Sequence, residues 1–165
     1  MSENEKSKRA PAVVVGVDGS AGSNEALRWA LAEARLRKAG LRALHSWIYV
    51  HALVPALVGY PFTLGSTEPA IADAAADAQR RAGTILEKAM AELVDADDVD
   101  VERVIVEGQA AQALINAVSE QDILVVGSRG HGGFANLLLG SVSQQCAQHA
   151  RCPVVIVRAP AIEGT

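Results

Sequence analysis

The sequence predicts an α/β protein: a parallel sheet wound with helices on both faces. Three observations carry that expectation. Short apolar runs rich in β-branched residues alternate with segments whose apolar residues recur at helical spacing, the pattern of buried strands joined by amphipathic crossover helices. Half of the 165 residues are apolar yet only 4% are aromatic, so the core must be built from Val, Leu, Ile and Ala. Finally, the apolar run Ile123 to Val126 stops at Gly127, passes through a glycine-dense loop and reaches a helix start at Gly140-Ser141-Val142-Ser143. Strand, glycine loop and helix start together offer backbone N–H groups to a phosphate.

In chain order, Met1 to Pro11 is polar and charged and reads as a loose tail. Ala12 to Val17 is β-branched and too short for a helix, hence a buried strand, ended by Asp18-Gly19-Ser20. Ser20 or Ser23 is expected to cap the next helix, with Glu25 in its first turn and Gly40 as its stop. Its inward face is Ala26, Leu27, Ala30, Leu31 and Ala34. Leu41 to Val50 reads as a second strand. The segment from His51 to Pro69 carries Pro55, Pro61 and Pro69 with Gly59 and Gly65, which excludes a long regular element and makes it a long loop.

Helical spacing returns from Ala70 to Leu93, through Ile71, Ala75, Ala78, Ala82, Ile85, Leu86 and Ala89. Gly83 weakens that helix by about 1 kcal/mol relative to Ala. Val101 to Val106 mixes charged and apolar residues, as an outer strand does. Ala110 to Ser119 forms a short helix with Ala113, Leu114, Ala117 and Val118 inward. The Ile123 strand, the glycine loop, a helix from Ser141 to Ala150 and a final strand from Val154 to Val157 complete the chain. Pro153, lacking an N–H, is tolerated at a strand start.

The net charge of −4 argues against non-specific nucleic-acid binding, which needs a basic field. No apolar run is long enough to span a membrane, and Met1 to Arg9 has no signal-peptide pattern, so the expected compartment is the cytoplasm. Thiols stay reduced there. Cys146, His149 and Cys152 make a Cys-x-x-His-x-x-Cys run, but a metal site needs a fourth ligand and an open loop, so packing cysteines are the preferred reading. Trp29 and Trp47 read as core or edge residues.

An anion in the Gly127 loop would meet Arg129 and no carboxylate, because no acid lies between Asp122 and Glu163. Gly130 to Ala135 superficially fits the dinucleotide pattern Gly-x-Gly-x-x-Ala. That fingerprint needs an acid about 20 positions on for the ribose, which this sequence lacks. In parallel sheets ligands bind beyond the carboxyl ends of the strands where strand order reverses, so the Asp18 turn and the Gly127 loop converge if their strands are neighbours. Asp18 then has two readings: a helix cap, or an acceptor for both ribose hydroxyls.

Gly127, Gly130, Gly140 and Ser141, with Ser128-Arg129 and His131 to Leu139 as spacers, spell Gly-x2-Gly-x9-Gly-Ser. With the opening Val-Gly-Val-Asp-Gly-Ser and the closing run from Gly140 to Val157, the sequence resembles the ATP-binding branch of the universal stress protein family from about Ala12 to Arg158. The resemblance implies an open five-stranded parallel sheet, order 3-2-1-4-5, of the Rossmann-like, adenine nucleotide alpha hydrolase-like kind. It divides the chain into a tail (1–11), one universal stress protein domain (12–158) and a second tail (159–165).

ATP with Mg2+ is the implied ligand. Gly16 and Val17 match positions on the adenine side, Asp18 the ribose acid, and Ser46 the residue whose main chain contacts adenine. Gly127 and Gly130 match the glycines that hold ribose and phosphates. Gly140, Ser141 and Ser143, with Val142 between them, match the outer-phosphate site. Ser128, Arg129, His131, Gly132 and Gly133 line the same loop. In physical terms the glycines permit close backbone approach, and Ser141 and Ser143 offer hydroxyls and N–H groups. The family pairs its last strand across a two-fold axis, so an adenine nucleotide and a second copy, joined through Val154 to Val157, are the expected partners. Ile156→Lys is expected to give a monomer.

The expected function is a nucleotide-dependent regulator or sensor in the stress response. Efficient hydrolysis needs a metal held by acids and an oriented water, and the only acid near the cleft, Asp18, is assigned to ribose. The alternatives are a slow ATP hydrolase and a cyclic-nucleotide-binding member of the family. Gly127→Ala and Asp18→Ala are both expected to weaken ATP binding while leaving the fold intact.

Overall fold

The computed structural model describes residues 9–48, 68–93, 96–131 and 138–160. The expectations for the first eight residues, the loop over 51–67, the strand end at 49–50, Gly132, Gly133 and the last five residues lie outside these. The elements are β1 (Ala12–Gly16), α1 (Ala21–Arg37), β2 (Gly40–Trp47), α2 (Glu68–Ala91), β3 (Val101–Glu107), α3 (Ala110–Ala117), β4 (Ile123–Gly127), α4 (Ser141–His149) and β5 (Val154–Val157). All sheet pairings are parallel, in the order β3-β2-β1-β4-β5. The chain starts at the centre, steps outward through β2 and β3, then crosses back beside β1 to lay down β4 and β5. Order therefore reverses between β1 and β4.

The alternation of side chains along β1 sets the two layers. Val13, Val15 and Val17 join the α1 residues Ala26, Leu27, Ala30, Leu31 and Ala34 and the α2 residues Leu86, Ala89 and Met90. On the other face Val14, with Leu44, Leu124 and Val126, packs against Ala111, Ala113 and Leu114 of α3 and Cys146 of α4. At the opposite end from the site, buried Asp122 locks β1 to the start of β4. It accepts from the Ala12 N–H at 2.8 Å and from the Ser119 N–H and Oγ at 2.7 and 2.9 Å.

Several boundaries differ from expectation. Gly40 does not stop α1; it opens β2 opposite Ala12. The helix ends two residues earlier, where Lys38 takes the left-handed conformation (φ 54°). The Ala39 N–H reaches Ala34 O at 3.0 Å and the Lys38 N–H reaches Arg35 O at 3.1 Å, a Schellman closure without glycine. Ser20 is the N-cap, its side chain accepting from the Ser23 N–H. Glu25 lies beyond the first turn and pairs with Arg28 at 2.7 Å. Pro69 falls inside α2 rather than ending the loop, a position where its missing N–H costs no helical bond. In α3, Ala111 is buried and Ala117 only half-buried. Trp29 lies on the outer surface of α1 and Trp47 is half-buried at the end of β2, so neither is a core residue.

Candidate functional site

Because Val13 pairs with Ile123 and Val15 with Val125, the exits of β1 and β4 lie side by side and the Asp18 turn meets the Gly127 loop. A cavity of about 610 Å3 opens there, within the range of about 300–1,000 Å3 usual for small-molecule sites. Gly16, Leu44, Leu114, Val126 and Val142, with Ala110, form its apolar wall. Asp18, Arg129, Gly130, His131 and Ser141 form its polar part.

Asp18 is built into the turn rather than used as the helix cap. Its Oδ1 accepts from the Ser20 N–H at 2.9 Å, and its own N–H donates to Ser23 Oγ at 3.3 Å. Burial works to raise its pKa, but the hydrogen bonds from Ser20 and Ser23, with the charge of nearby His131, outweigh that and hold the carboxyl below its ordinary value. The other carboxylate oxygen faces Gly130 so closely that a Cβ there would collide with Asp18 Oδ2. His131 Nε2 lies 3.1 Å from the Asp18 carbonyl and joins the loop to the turn a second time.

The start of α4 supplies the other pole. Gly140 is its N-cap, with no side chain to satisfy the helix and no acid in the first turn. The Gly140 N–H is spent on Ser128 O at 2.7 Å, whereas the first-turn N–H groups of Ser141, Val142 and Ser143, all on the cavity wall, have no acceptor within the helix. Positive helix-dipole charge is thus directed at the same space that Asp18 borders.

Of the residues expected at the site, Gly16, Val17, Asp18, Ser46, Gly127, Arg129, Gly130, His131, Gly140, Ser141, Val142 and Ser143 line this cavity. Ser128 does not. It is buried beneath the loop, its N–H donating to Val157 O at 2.7 Å and its carbonyl accepting from Gly140 and from Ser143. Ser143 offers no hydroxyl to a ligand, because its Oγ is shared between Ser128 O at 3.1 Å and Gly140 O at 2.9 Å.

Packing by itself requires glycine at position 127. A Cβ there would stand 2.7 Å from Gly22 C and 2.9 Å from Gly22 O, so the residue is small to let β4 pass the first turn of α1. The expectation that Gly127→Ala spares the fold is corrected accordingly. Gly22 shares the constraint, since its Cβ would lie 2.5 Å from Arg129 O.

The sequence reading missed Ser23, Leu44, His45, Ala110, Leu114 and Val126 as lining residues. Leu44 and His45 in β2 and Val126 in β4 were findable as residues near the ends of strands that run toward the cleft. Ala110 and Leu114 carry no local signal, because the crossover alone brings α3 over the site. Beyond the cavity, Cys146 and Cys152 are free and buried while His149 is exposed, so they do not converge on one point. Burial pushes the Cys146 thiol up to about 11, with a smaller contribution from Cys152. Among the described residues no group of three or more His, Cys, Asp or Glu side chains could hold a metal ion, and no helix is long and apolar enough to cross a membrane.

The model of the universal stress protein family matches residues 11–158. A universal stress protein of Mycobacterium tuberculosis is 37% identical over 146 residues, covering 88% of this chain and 44% of that protein. One of Mycolicibacterium smegmatis is 35% identical, with 88% and 45% covered. The chain spans less than half the length of these curated relatives. Among solved structures, the hypothetical protein MJ0577 superposes with a TM-score of 0.70 at 20% identity, over 91% of this chain and 96% of that one. A universal stress protein solved in complex with cAMP superposes with a TM-score of 0.55 at 27% identity, over 92% and 98%.

Proposed function

The chain belongs to the universal stress protein family, and from that premise we propose that it binds an adenine nucleotide, ATP foremost, as a nucleotide-dependent regulator in the stress response. The observation that carries this is the pairing of Asp18 with the uncapped start of α4 across one cavity whose remaining wall is apolar. The base lies against Leu44, Leu114 and Val142, between Gly16 and the Ser46 main chain. Asp18, kept ionised, takes the ribose hydroxyls. The phosphates lie along Gly130 and the N–H groups of Ser141, Val142 and Ser143, with Arg129 and His131 beside them.

Asp18 is the only carboxylate on this wall among the described residues. These residues therefore make no protein site for Mg2+, which would be held by phosphate oxygens, and turnover is slow at most. Binding of a cyclic nucleotide is the second reading, supported by the relative solved with cAMP. Residues 12–158 act as one cytoplasmic domain. It pairs with a second copy through β5, an all-apolar edge of four residues, whereas the opposite edge, β3, exposes Glu102, Arg103 and Glu107.

Mass spectrometry of the nucleotide that co-purifies with the protein, followed by calorimetric titration with ATP, AMP and cAMP, tests the reading. An adenine nucleotide bound one per chain is expected. No binding of any of the three would overturn it, and steady ATP consumption at enzymatic rates would replace the regulator by a hydrolase.

A further inference from the structure

His45 stands at no ligand spacing from the other histidines, yet its surroundings give it a role. The ring is buried on the cavity wall, 8% exposed, with Nδ1 2.7 Å from the carbonyl oxygen of Val17. A carbonyl only accepts, so Nδ1 carries the proton and donates. The ladder between β1 and β2 ends with Gly16 opposite Leu44, and the Val17 N–H adds a last bond to Leu44 O at 2.8 Å. Beyond that point the strands part, and the Val17 carbonyl finds a side chain where a strand partner would have been.

Val17 immediately precedes Asp18, and His45 immediately precedes Ser46. The two ends of this bond are therefore each one residue short of the positions assigned to ribose and to adenine. We propose that His45 is a positioning residue: its Nδ1–H clamps the exit of β1 to the exit of β2 and sets the separation between Asp18 and Ser46. The inference rests on the adenine nucleotide reading of the cavity. Ser20 and Ser23 hold the Asp18 turn as a unit, but they belong to the same segment and do not tie it to β2. His45 does. Without it the acceptor for ribose and the backbone for the base are no longer pre-spaced, and binding has to restore that order.

The test combines 15N NMR of the imidazole in the nucleotide-free protein with ATP titration of the wild type and the variants His45→Leu, His45→Gln and His45→Asn. The Asn side-chain nitrogen sits where Nδ1 does, whereas the Gln nitrogen sits where Nε2 does. The expected results are a ring protonated at Nδ1 and a loss of about ten-fold in affinity for Leu and Gln. His45→Asn should bind close to wild type even though its smaller side chain lowers the melting temperature. Affinity and stability then move apart, which a merely structural role does not produce. A ring protonated at Nε2 alone, a Leu variant that binds like wild type, or an Asn variant as weak as Leu would each overturn the clamp while leaving the nucleotide reading standing. A wild-type protein that binds no adenine nucleotide would overturn that reading and the clamp with it.

Discussion

Gly22 and Gly127 touch backbone to backbone where the first turn of α1 crosses the end of β4, so that a Cβ on Gly127 would lie 2.7 Å from Gly22 C. Backbone atoms cannot swing aside as a side-chain tip can. Gly127→Ala and Gly22→Ala are each expected to lower stability by about 1–3 kcal/mol through overpacking. Urea denaturation measures this, and an unchanged midpoint in both variants would show that the crossing yields freely.

Gly130 separates affinity from stability. It is exposed, and the atom its Cβ would strike is Asp18 Oδ2, the end of a carboxylate that can rotate. Gly130→Ala should therefore weaken ATP binding by displacing the ribose acceptor, with stability within about 0.5 kcal/mol of wild type. Titration alongside thermal unfolding distinguishes the two effects; a large drop in melting temperature with intact affinity contradicts the prediction.

Asp18 links the site to acid stability. Its native pKa is lower than the ordinary 3.8, so the unfolded chain binds the proton first as pH falls. Its contribution to stability is present above about pH 3.8 and is lost as pH drops through the lower native value. Asp18→Ala should thus bind ATP more weakly at neutral pH, and the stability gap between it and wild type should narrow on acidification below that point. A gap that widens in acid reverses the sign.

Dimerisation through β5 is tested better by proline than by lysine. The Ile156 side chain packs into the core layer beside α4, so Ile156→Lys also disturbs the fold. Pro153 O and Val157 O face β4, accepting from Leu124 and Ser128, which turns the Ile156 N–H outward by alternation. Light scattering should find Ile156→Pro monomeric and Ile156→Ala, which keeps the N–H, dimeric. A dimer surviving the proline would place the interface elsewhere.

With the Cys146 thiol pushed up to about 11 by burial, only about one molecule in a thousand is thiolate at pH 8. Iodoacetamide should leave Cys146 unlabelled in the native protein and label it in urea. Rapid native labelling would mean that α4 opens readily.

Most of the fold and half of the site's logic were legible in the chain itself. Runs such as Val13 to Val15 and the helical spacing from Ala26 to Ala34 are local periodicities, and they decide secondary structure wherever burial is strong. The spacing of Gly127, Gly130, Gly140 and Ser141 is also local, so the loop and its helix start could be read without a structure. Boundaries were less legible where two endings competed. Lys38 closed α1 before Gly40 was reached, because the Schellman bonds formed at an available residue.

Tertiary structure decided which groups those residues meet. Asp18 could have been a helix cap until Ser20 took the capping bond, which leaves Asp18 Oδ2 facing Gly130. Ser143 and Gly127 both line the cavity, but packing commits the Ser143 hydroxyl to Ser128 and Gly140 and leaves no room beside Gly22 for a side chain at Gly127. His45 acquired a partner only when β1 and β2 were laid side by side. A sequence records which groups a residue carries and how often apolar ones recur. Which donor meets which acceptor depends on contacts between segments far apart in the chain, and those exist only once the sheet has assembled.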